Sequence, residues 1–192
     1  PDSVDRAEGD IHPFGNPHLQ MDPRNIAAVA GPLAEQLASL DPDNSEKYAE
    51  LYENFRDRWQ LAIDRWTAAA ANVAGMDIVS HHNSWVYLIN WLGLVQVGTL
   101  EQKPGIEPGA KHLAALLKTM EEREVRLIIR SAYQSPRASE WLSGRTGIPA
   151  EVLPHTVGST DEAVDLFDWY ETLIAKLTRA ANSQSLSTNG PD

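Results

Sequence analysis

Histidine is the residue type through which this chain could bind a transition metal, because the sequence has six histidines and no cysteine. His18 lies within the sequence GNPHLQMDP at residues 15–23. Pro17 fixes its own φ, while Asp22-Pro23 combines an N-cap side chain with a proline at the first helical position. This pattern predicts a rigid loop that presents His18, followed by a helix that begins at Pro23. An ordinary capped helix start would explain the loop equally well. Whether His18 is a ligand therefore depends on where the other histidines lie.

Two further histidine positions follow predicted strands. His81 and His82 come directly after the first strand, and His155 comes two residues after the fourth. Because the carboxyl ends of parallel strands lie at one edge of a sheet, both positions deliver imidazole to the same side, where His18 can add a third ring. Three neutral imidazoles with a carboxylate or water form a tetrahedral zinc site. The sequence therefore points to a metal site at this edge.

Each histidine also has an ordinary structural explanation. One of His81 and His82 could cap the next helix or bond to a backbone carbonyl, and His155 could be a packing residue on its loop. His112 lies on a helix face without a partner at metal-ligand spacing, and it is interpreted as a surface residue. His12 is the nearest of the others to the loop in sequence. We treat His12 and His81 as weaker ligand candidates.

The elements that would position these rings follow from the spacing of apolar residues. Helical spacing covers residues 23–40, where Gly31-Pro32 is expected to kink or break the helix, and residues 45–74, which form one long amphipathic helix. Beyond Gly75, strands are predicted at 77–80, 95–98, 125–130 and 151–153, and helices at 84–93, 109–122, 135–147 and 160–180. This strict alternation predicts an α/β fold: a four-stranded parallel sheet with helices on both faces.

The composition argues against several classes of function. A formal net charge of −11 repels phosphate backbones, so no nucleic-acid partner is expected. No apolar run approaches the roughly 18 residues that a membrane helix needs, and the first residues have no signal-peptide pattern. Common hydrolase, phosphate-loop and dinucleotide-binding motifs are also missing from the sequence. Cations are therefore the expected ligands.

The order of the motifs resembles a known family. The chain has NPH at 16–18, DP at 22–23, a long helix, and a strand that ends in histidine before SWVYL at 84–88 and GL at 93–94. This combination covers most of the chain and resembles the zinc/manganese-type periplasmic solute-binding proteins of bacterial ABC importers. The resemblance implies a two-lobed receptor that binds a metal ion in its cleft and delivers it to a membrane permease, in the periplasm or elsewhere outside the cytoplasm.

The resemblance also implies a ligand set and a function. It assigns His18, His82 and His155 as the metal ligands, and three imidazoles favour zinc over manganese. The implied receptor is not an enzyme. Two alternatives stay open: a zinc-dependent hydrolase with an open metal position, and a metal-free interaction or adhesion module.

The same resemblance implies a division of the chain. Residues 1–44 would be the remnant of a first lobe, 45–74 the linking helix, 75–181 the C-terminal α/β lobe and 182–192 a disordered tail. Family members carry more of the first lobe, including another histidine ligand, upstream of the NPH motif. Either the chain is a fragment, or His12, water or another molecule completes the site. Apolar surface left by an absent lobe would favour a homodimer.

One ligand position departs from the family pattern. His155 stands where the family usually has an aspartate, after the fourth strand of this lobe. A histidine there either ligates the ion in place of the carboxylate or marks a ligand that has been lost.

Overall fold

The computed structural model describes residues 15–103 and 105–185 of the chain. The helices are α1 (Pro23–Leu40), α2 (Ser45–Ala69), α3 (Val86–Leu92), α4 (Ala110–Glu122), α5 (Arg137–Thr146) and α6 (Leu166–Ser185). The strands are β1 (Asp77–Ser80), β2 (Val95–Thr99), β3 (Val125–Ser131) and β4 (Ala150–Leu153). Short 3₁₀ turns lie at Leu19–Met21, Pro42–Asn44 and Ala71–Val73. In this part of the chain, every helix is too short or too polar to cross a membrane.

The four strands form one sheet in the order β2-β1-β3-β4, and all neighbouring pairs are parallel. Helices α3, α4 and α5 each lie in one crossover between successive strands. The predicted α/β fold is therefore confirmed, and each strand lies within one residue of its predicted bounds. The strand order reverses between β1 and β3, and sheets of this kind bind ligands outside the carboxyl ends at such a point.

Both faces of the sheet are buried under helices. In β3, Leu127 and Ile129 face one side, and Ile128 faces the other, as the alternation of side chains along a strand requires. Helices α2, α3 and α6 cover the first side, and α4 and α5 cover the second. The first side is rich in fully buried aromatic residues, namely Trp59, Trp66, Trp85, Trp169 and Tyr170. This packing holds the carboxyl edge of the sheet in a fixed position.

Helix α1 begins where the sequence predicts. The carboxylate of Asp22 accepts a hydrogen bond from the Arg24 amide at 2.9 Å and also pairs with the Arg24 guanidinium. Of the predicted kink or break at Gly31-Pro32, the break is wrong, because the helix continues through Pro32. Pro32 removes one backbone hydrogen bond, but α1 packs along α2, and the indole of Trp59 donates to the Pro23 carbonyl at 2.8 Å. Packing therefore holds the helix together.

Helix α6 differs most from its prediction. It begins at Leu166, six residues later than predicted. The reason is that the Asp165 carboxylate accepts from the amides two and three residues further on, at 2.8 and 2.9 Å, and so caps a later first turn. The helix ends at Ser185, so it includes the first four residues of the segment predicted as a tail. Residues 186–192 lie outside the described residues.

Candidate metal centre

The loop that carries His18 is attached to the α/β unit through Asn16. The side-chain amide of Asn16 donates to the Asn83 carbonyl at 2.8 Å, and its backbone carbonyl accepts from the Tyr87 hydroxyl at 2.9 Å. Its side-chain oxygen accepts from the backbone amide of His18 at 3.0 Å. A hydrogen bond between an asparagine side chain and the backbone two residues further along forms an Asx turn, which asparagine favours. One side chain thus fixes the loop to the β1–α3 connection and orients the peptide of His18.

The chain is also anchored on the C-terminal side of His18. The hydroxyl of Tyr170, in α6, donates to the backbone carbonyl of Gln20. Met21, the next residue, is fully buried in the core. The loop is thus held by contacts with α3 and α6 in addition to its own prolines.

His155 follows β4 at the carboxyl edge of the sheet, as predicted. The buried indole of Trp169 donates to the Pro154 carbonyl at 2.8 Å, and Ser159 Oγ accepts from the His155 amide at 3.0 Å. The His155 ring lies edge-on to Trp85, with 5.4 Å between ring centroids. These contacts fix the backbone and one side of the ring.

The His155 imidazole is held in its neutral form. Burial, together with smaller effects of the neighbouring His18 and His82, lowers its pKa from 6.5 to about 4. Its Nε2 atom is buried and has no hydrogen-bond partner among the described residues. A buried imidazole nitrogen without a hydrogen-bond partner is a costly group unless a ligand completes it.

The structure brings His18, His82 and His155 together from three separate segments. The ring centroids of His18 and His155 are 5.0 Å apart, and those of His18 and His82 are 6.4 Å apart. Beside them lies an open cavity of about 410 Å³, whose wall includes His18, His82, Glu101 and Tyr133. In residues 15–103 and 105–185, no three His, Asp or Glu side chains form a ready-made metal site. The three rings are neighbours and not yet a coordination sphere.

Sequence reasoning missed the two carboxylates of this cavity, Glu101 and Glu107. Glu101 lies two residues beyond β2, and its Oε2 atom accepts a hydrogen bond from His82 Nδ1 at 2.8 Å. Its Oε1 atom is 3.4 Å from His81 Nε2. The edge rule that selected His82 and His155 also applies to the end of β2, so the signal was present in the sequence.

The other histidines have different surroundings. His81 is buried, and its burial lowers the pKa of its imidazole in spite of the nearby Glu101 carboxylate. The prediction that His112 lies on the surface is wrong, because its ring is half-buried and its Nε2 atom hydrogen-bonds to the Thr99 carbonyl at 2.8 Å. His12 lies outside the described residues.

Comparisons with known proteins identify the family and similar folds. A family model described as "ZnuA: Zinc-uptake complex component A periplasmic" matches residues 2–180. The zinc-binding protein AdcA of Streptococcus pyogenes serotype M1 is 24% identical over 169 residues, which are 88% of this chain and 33% of AdcA. The high-affinity zinc uptake system protein ZnuA of Haemophilus influenzae is 26% identical over 133 residues, which are 69% of this chain and 40% of that protein. The chain thus spans less than half the length of these relatives.

Among solved structures, the fold is similar to that of the laminin-binding protein Lmb of Streptococcus agalactiae. The TM-score is 0.76 at 19% sequence identity, and the match covers 92% of this chain and 70% of Lmb. That structure is described as a bifunctional protein with adhesin and metal-transporting activity. At this identity the likeness supports the fold alone.

Proposed function

The chain belongs to the ZnuA family of periplasmic zinc-uptake components, and from this premise we propose that it is a receptor that binds a zinc ion between His18, His82 and His155. The family is one of uptake components and not of enzymes, which removes the ground for a zinc-dependent hydrolase. The observation that carries the proposal is the proximity of three imidazoles from three segments, two of which, His18 and His82, line one cavity.

The spacing of the rings suits such a site. With Zn–N bonds of about 2.0–2.1 Å and tetrahedral angles, two imidazoles on one zinc ion have ring centroids roughly 5 Å apart. The His18–His155 pair, at 5.0 Å, already has this spacing. The His18–His82 pair, at 6.4 Å, has to close by roughly an ångström. We propose that zinc binding draws these two rings together.

The donor chemistry favours zinc over manganese. Imidazole nitrogen suits zinc, whereas manganese prefers carboxylate and other oxygen ligands. His155 supplies a neutral nitrogen, since burial holds the pKa of its ring near 4. No proton therefore has to leave this ring at neutral pH before the ion binds. A fourth position is left for water or a further donor.

Delivery of the ion to an ABC-type membrane permease completes the proposed role, which places the protein outside the cytoplasm. The support is the family itself, whose description is that of a periplasmic component of a zinc-uptake complex. None of the comparisons supports the homodimer that the sequence led us to expect.

We also propose the division of the chain given by the sequence, with the last boundary moved to the end of α6: residues 1–44 belong to a first lobe, 45–74 are the link and 75–185 are the α/β lobe. Helix α1 has a single buried residue, Pro23, while the apolar clusters are built mainly from α2 and the α/β unit. Hydrogen exchange tests this division: amides of α1 should exchange faster than those of β1 and β3. Equal protection would argue for one cooperative unit.

Zinc titration after mild chelation tests the proposed site. The wild-type protein should bind about one ion per chain, and His82→Ala should reduce the affinity by at least tenfold because a zinc ligand is lost. His18→Ala and His155→Ala should act in the same direction. His112→Ala is the matched control, since that ring contacts a backbone carbonyl at 2.8 Å and not the other rings. No zinc uptake by the wild-type protein, or equal affinity in His82→Ala, would contradict the proposal.

A second candidate function is adhesion. It rests on the description of Lmb, which shares this fold, as a protein with both adhesin and metal-transporting activity. Binding of the purified chain to immobilised laminin, measured with zinc and with a chelator, tests it. Zinc-independent binding that survives His82→Ala would support an adhesion module, and the absence of binding would exclude laminin as the partner.

A further inference from the structure

We propose that Glu101 is a positioning residue for the metal site: it fixes the orientation and tautomer of His82 so that Nε2 of that ring is the metal-binding atom. This inference rests on the proposed function, because it gives Glu101 a role toward an ion bound by His82. It concerns a residue that the ligand set from the sequence does not contain.

The backbone places Glu101 beside the histidine pair with little freedom. The Glu101 amide donates to the His81 carbonyl at 3.0 Å, and the Leu100 amide donates to the Ser80 carbonyl at 2.8 Å. These bonds continue the β1–β2 pairing beyond the ends of both strands. The hydroxyl of Thr99 also donates to the Glu101 carbonyl at 2.7 Å. The carboxylate is therefore supported by the sheet and not by a free loop.

The hydrogen bond to His82 determines where the imidazole proton resides. Carboxylate oxygens only accept, so the bond of 2.8 Å between Glu101 Oε2 and His82 Nδ1 requires the proton on Nδ1. In the neutral ring, the lone pair is then on Nε2, the atom that remains for a metal ion. Metal-binding histidines commonly donate their other N–H to a carboxylate, which fixes the ring and increases its basicity.

His81 holds the second oxygen of the same carboxylate. Its Nε2 atom lies 3.4 Å from Glu101 Oε1, and its side chain is buried. The side chain of Glu101 is itself 14% exposed, so it has few alternative rotamers. Both histidines border the cavity, but they differ: His82 is hydrogen-bonded to Glu101, whereas the buried His81 lies beside the second oxygen of the same carboxylate.

Glu101→Ala, Glu101→Gln and Glu107→Ala form the test series. Glu101→Ala removes the acceptor and the charge, whereas Glu101→Gln removes the charge and keeps an oxygen that can accept from Nδ1. Glu107 is an exposed carboxylate on the wall of the same cavity, so Glu107→Ala measures the effect of losing a negative charge without losing the bond to His82. Two quantities are measured: the zinc affinity, and the His82 tautomer in the metal-free protein by nitrogen-15 NMR.

In wild type and Glu101→Gln, we expect the proton on His82 Nδ1. In Glu101→Ala, we expect a shift toward the Nε2–H tautomer and an affinity loss of about 10- to 100-fold. Glu107→Ala should cost less than about threefold, as expected for a screened exposed charge.

Two results would overturn the inference: an unchanged tautomer in Glu101→Ala, or an affinity loss no larger than that of Glu107→Ala while wild type binds zinc tightly. Failure of wild type to bind zinc would instead overturn the proposed function. The NMR measurement would then still report whether Glu101 sets the tautomer, so the two failures can be distinguished.

Discussion

The Tyr87 hydroxyl donates to the backbone carbonyl of Asn16 at 2.9 Å and so joins helix α3 to the loop that carries His18. The two residues are 71 positions apart in the sequence. Because Asn16 also bonds to the His18 amide, a change at Tyr87 reaches the histidine through a single residue. The position of a proposed ligand therefore depends on a tyrosine in another part of the chain.

Tyr87→Phe should weaken this connection while the ring packing is kept. We expect the free energy of unfolding to fall by about 1 kcal/mol, the usual net value of one hydrogen bond, and the zinc affinity to fall severalfold as the His18 loop becomes less ordered. Urea denaturation and zinc titration measure the two effects. Tyr52→Phe, in α2 and away from the cavity, is the control. If Tyr87→Phe and Tyr52→Phe bind zinc equally well, the loop does not depend on this bond.

The strands were predictable because they are short apolar runs between clear turn signals. Residues 77–80 match β1 at both ends. The start of α6 was not predictable, because Thr160 and Asp165 are both acceptable N-cap residues in the sequence. The structure uses Asp165, and that start places Trp169 where its indole reaches the Pro154 carbonyl. A tertiary contact of this kind has no signature in local periodicity.

The neighbouring histidines were predictable from topology alone. His82 and His155 follow parallel strands, so the edge rule places them on one side of the sheet before any coordinate is known. The edge rule also places Glu101 at this edge, but its bond to His82 was not predictable, because that bond depends on the pairing of β1 with β2, which brings the Glu101 amide to the His81 carbonyl. Whether the three rings bind zinc stays a prediction that the titration tests.

Asp22→Ala should destabilise the start of α1. The carboxylate accepts from the Arg24 amide at 2.9 Å, and loss of an N-cap acceptor costs about 1 kcal/mol, up to about 2. Asp22→Asn keeps a capping oxygen and should cost clearly less. Urea denaturation of the metal-free protein gives both values.

The contribution of the Asp22–Arg24 ion pair to stability has to be distinguished from that of the N-cap. Arg24→Ala removes the pair at 2.6 Å and keeps the cap, and a pair with a partly exposed arginine contributes less than about 1 kcal/mol. Equal losses in Asp22→Ala and Asp22→Asn would show that the charge, and not the cap, stabilises this helix start.

Acid should destabilise the metal-free protein through His155. Its pKa in the folded protein is about 4, below the ordinary value of 6.5, so the unfolded chain binds a proton more readily than the folded one. The His155 contribution to the free energy of unfolding is therefore complete above pH 6.5. It decreases as the pH falls toward 4 and is constant below that. Urea denaturation at several pH values, with a chelator present, measures this decrease.

His155→Gln provides the comparison for the pH series. Glutamine does not titrate, so the stability difference between wild type and variant should move in favour of the variant as the pH falls from 7 to 4. Titratable groups other than His18 and His82, which interact with His155, are common to both proteins and cancel in the difference. Parallel pH profiles for the two proteins would show that the His155 pKa is not shifted.

His155→Asp should change the preference between metal ions. A carboxylate oxygen in place of imidazole nitrogen suits manganese better, so the ratio of zinc to manganese affinity should fall by about tenfold or more. His155→Asn introduces an uncharged oxygen at the same position and separates donor type from charge. Competition titrations with both ions measure the ratio. If the ratio is the same in wild type and in His155→Asp, residue 155 is not a ligand, and His18 and His82 must bind the ion with other donors.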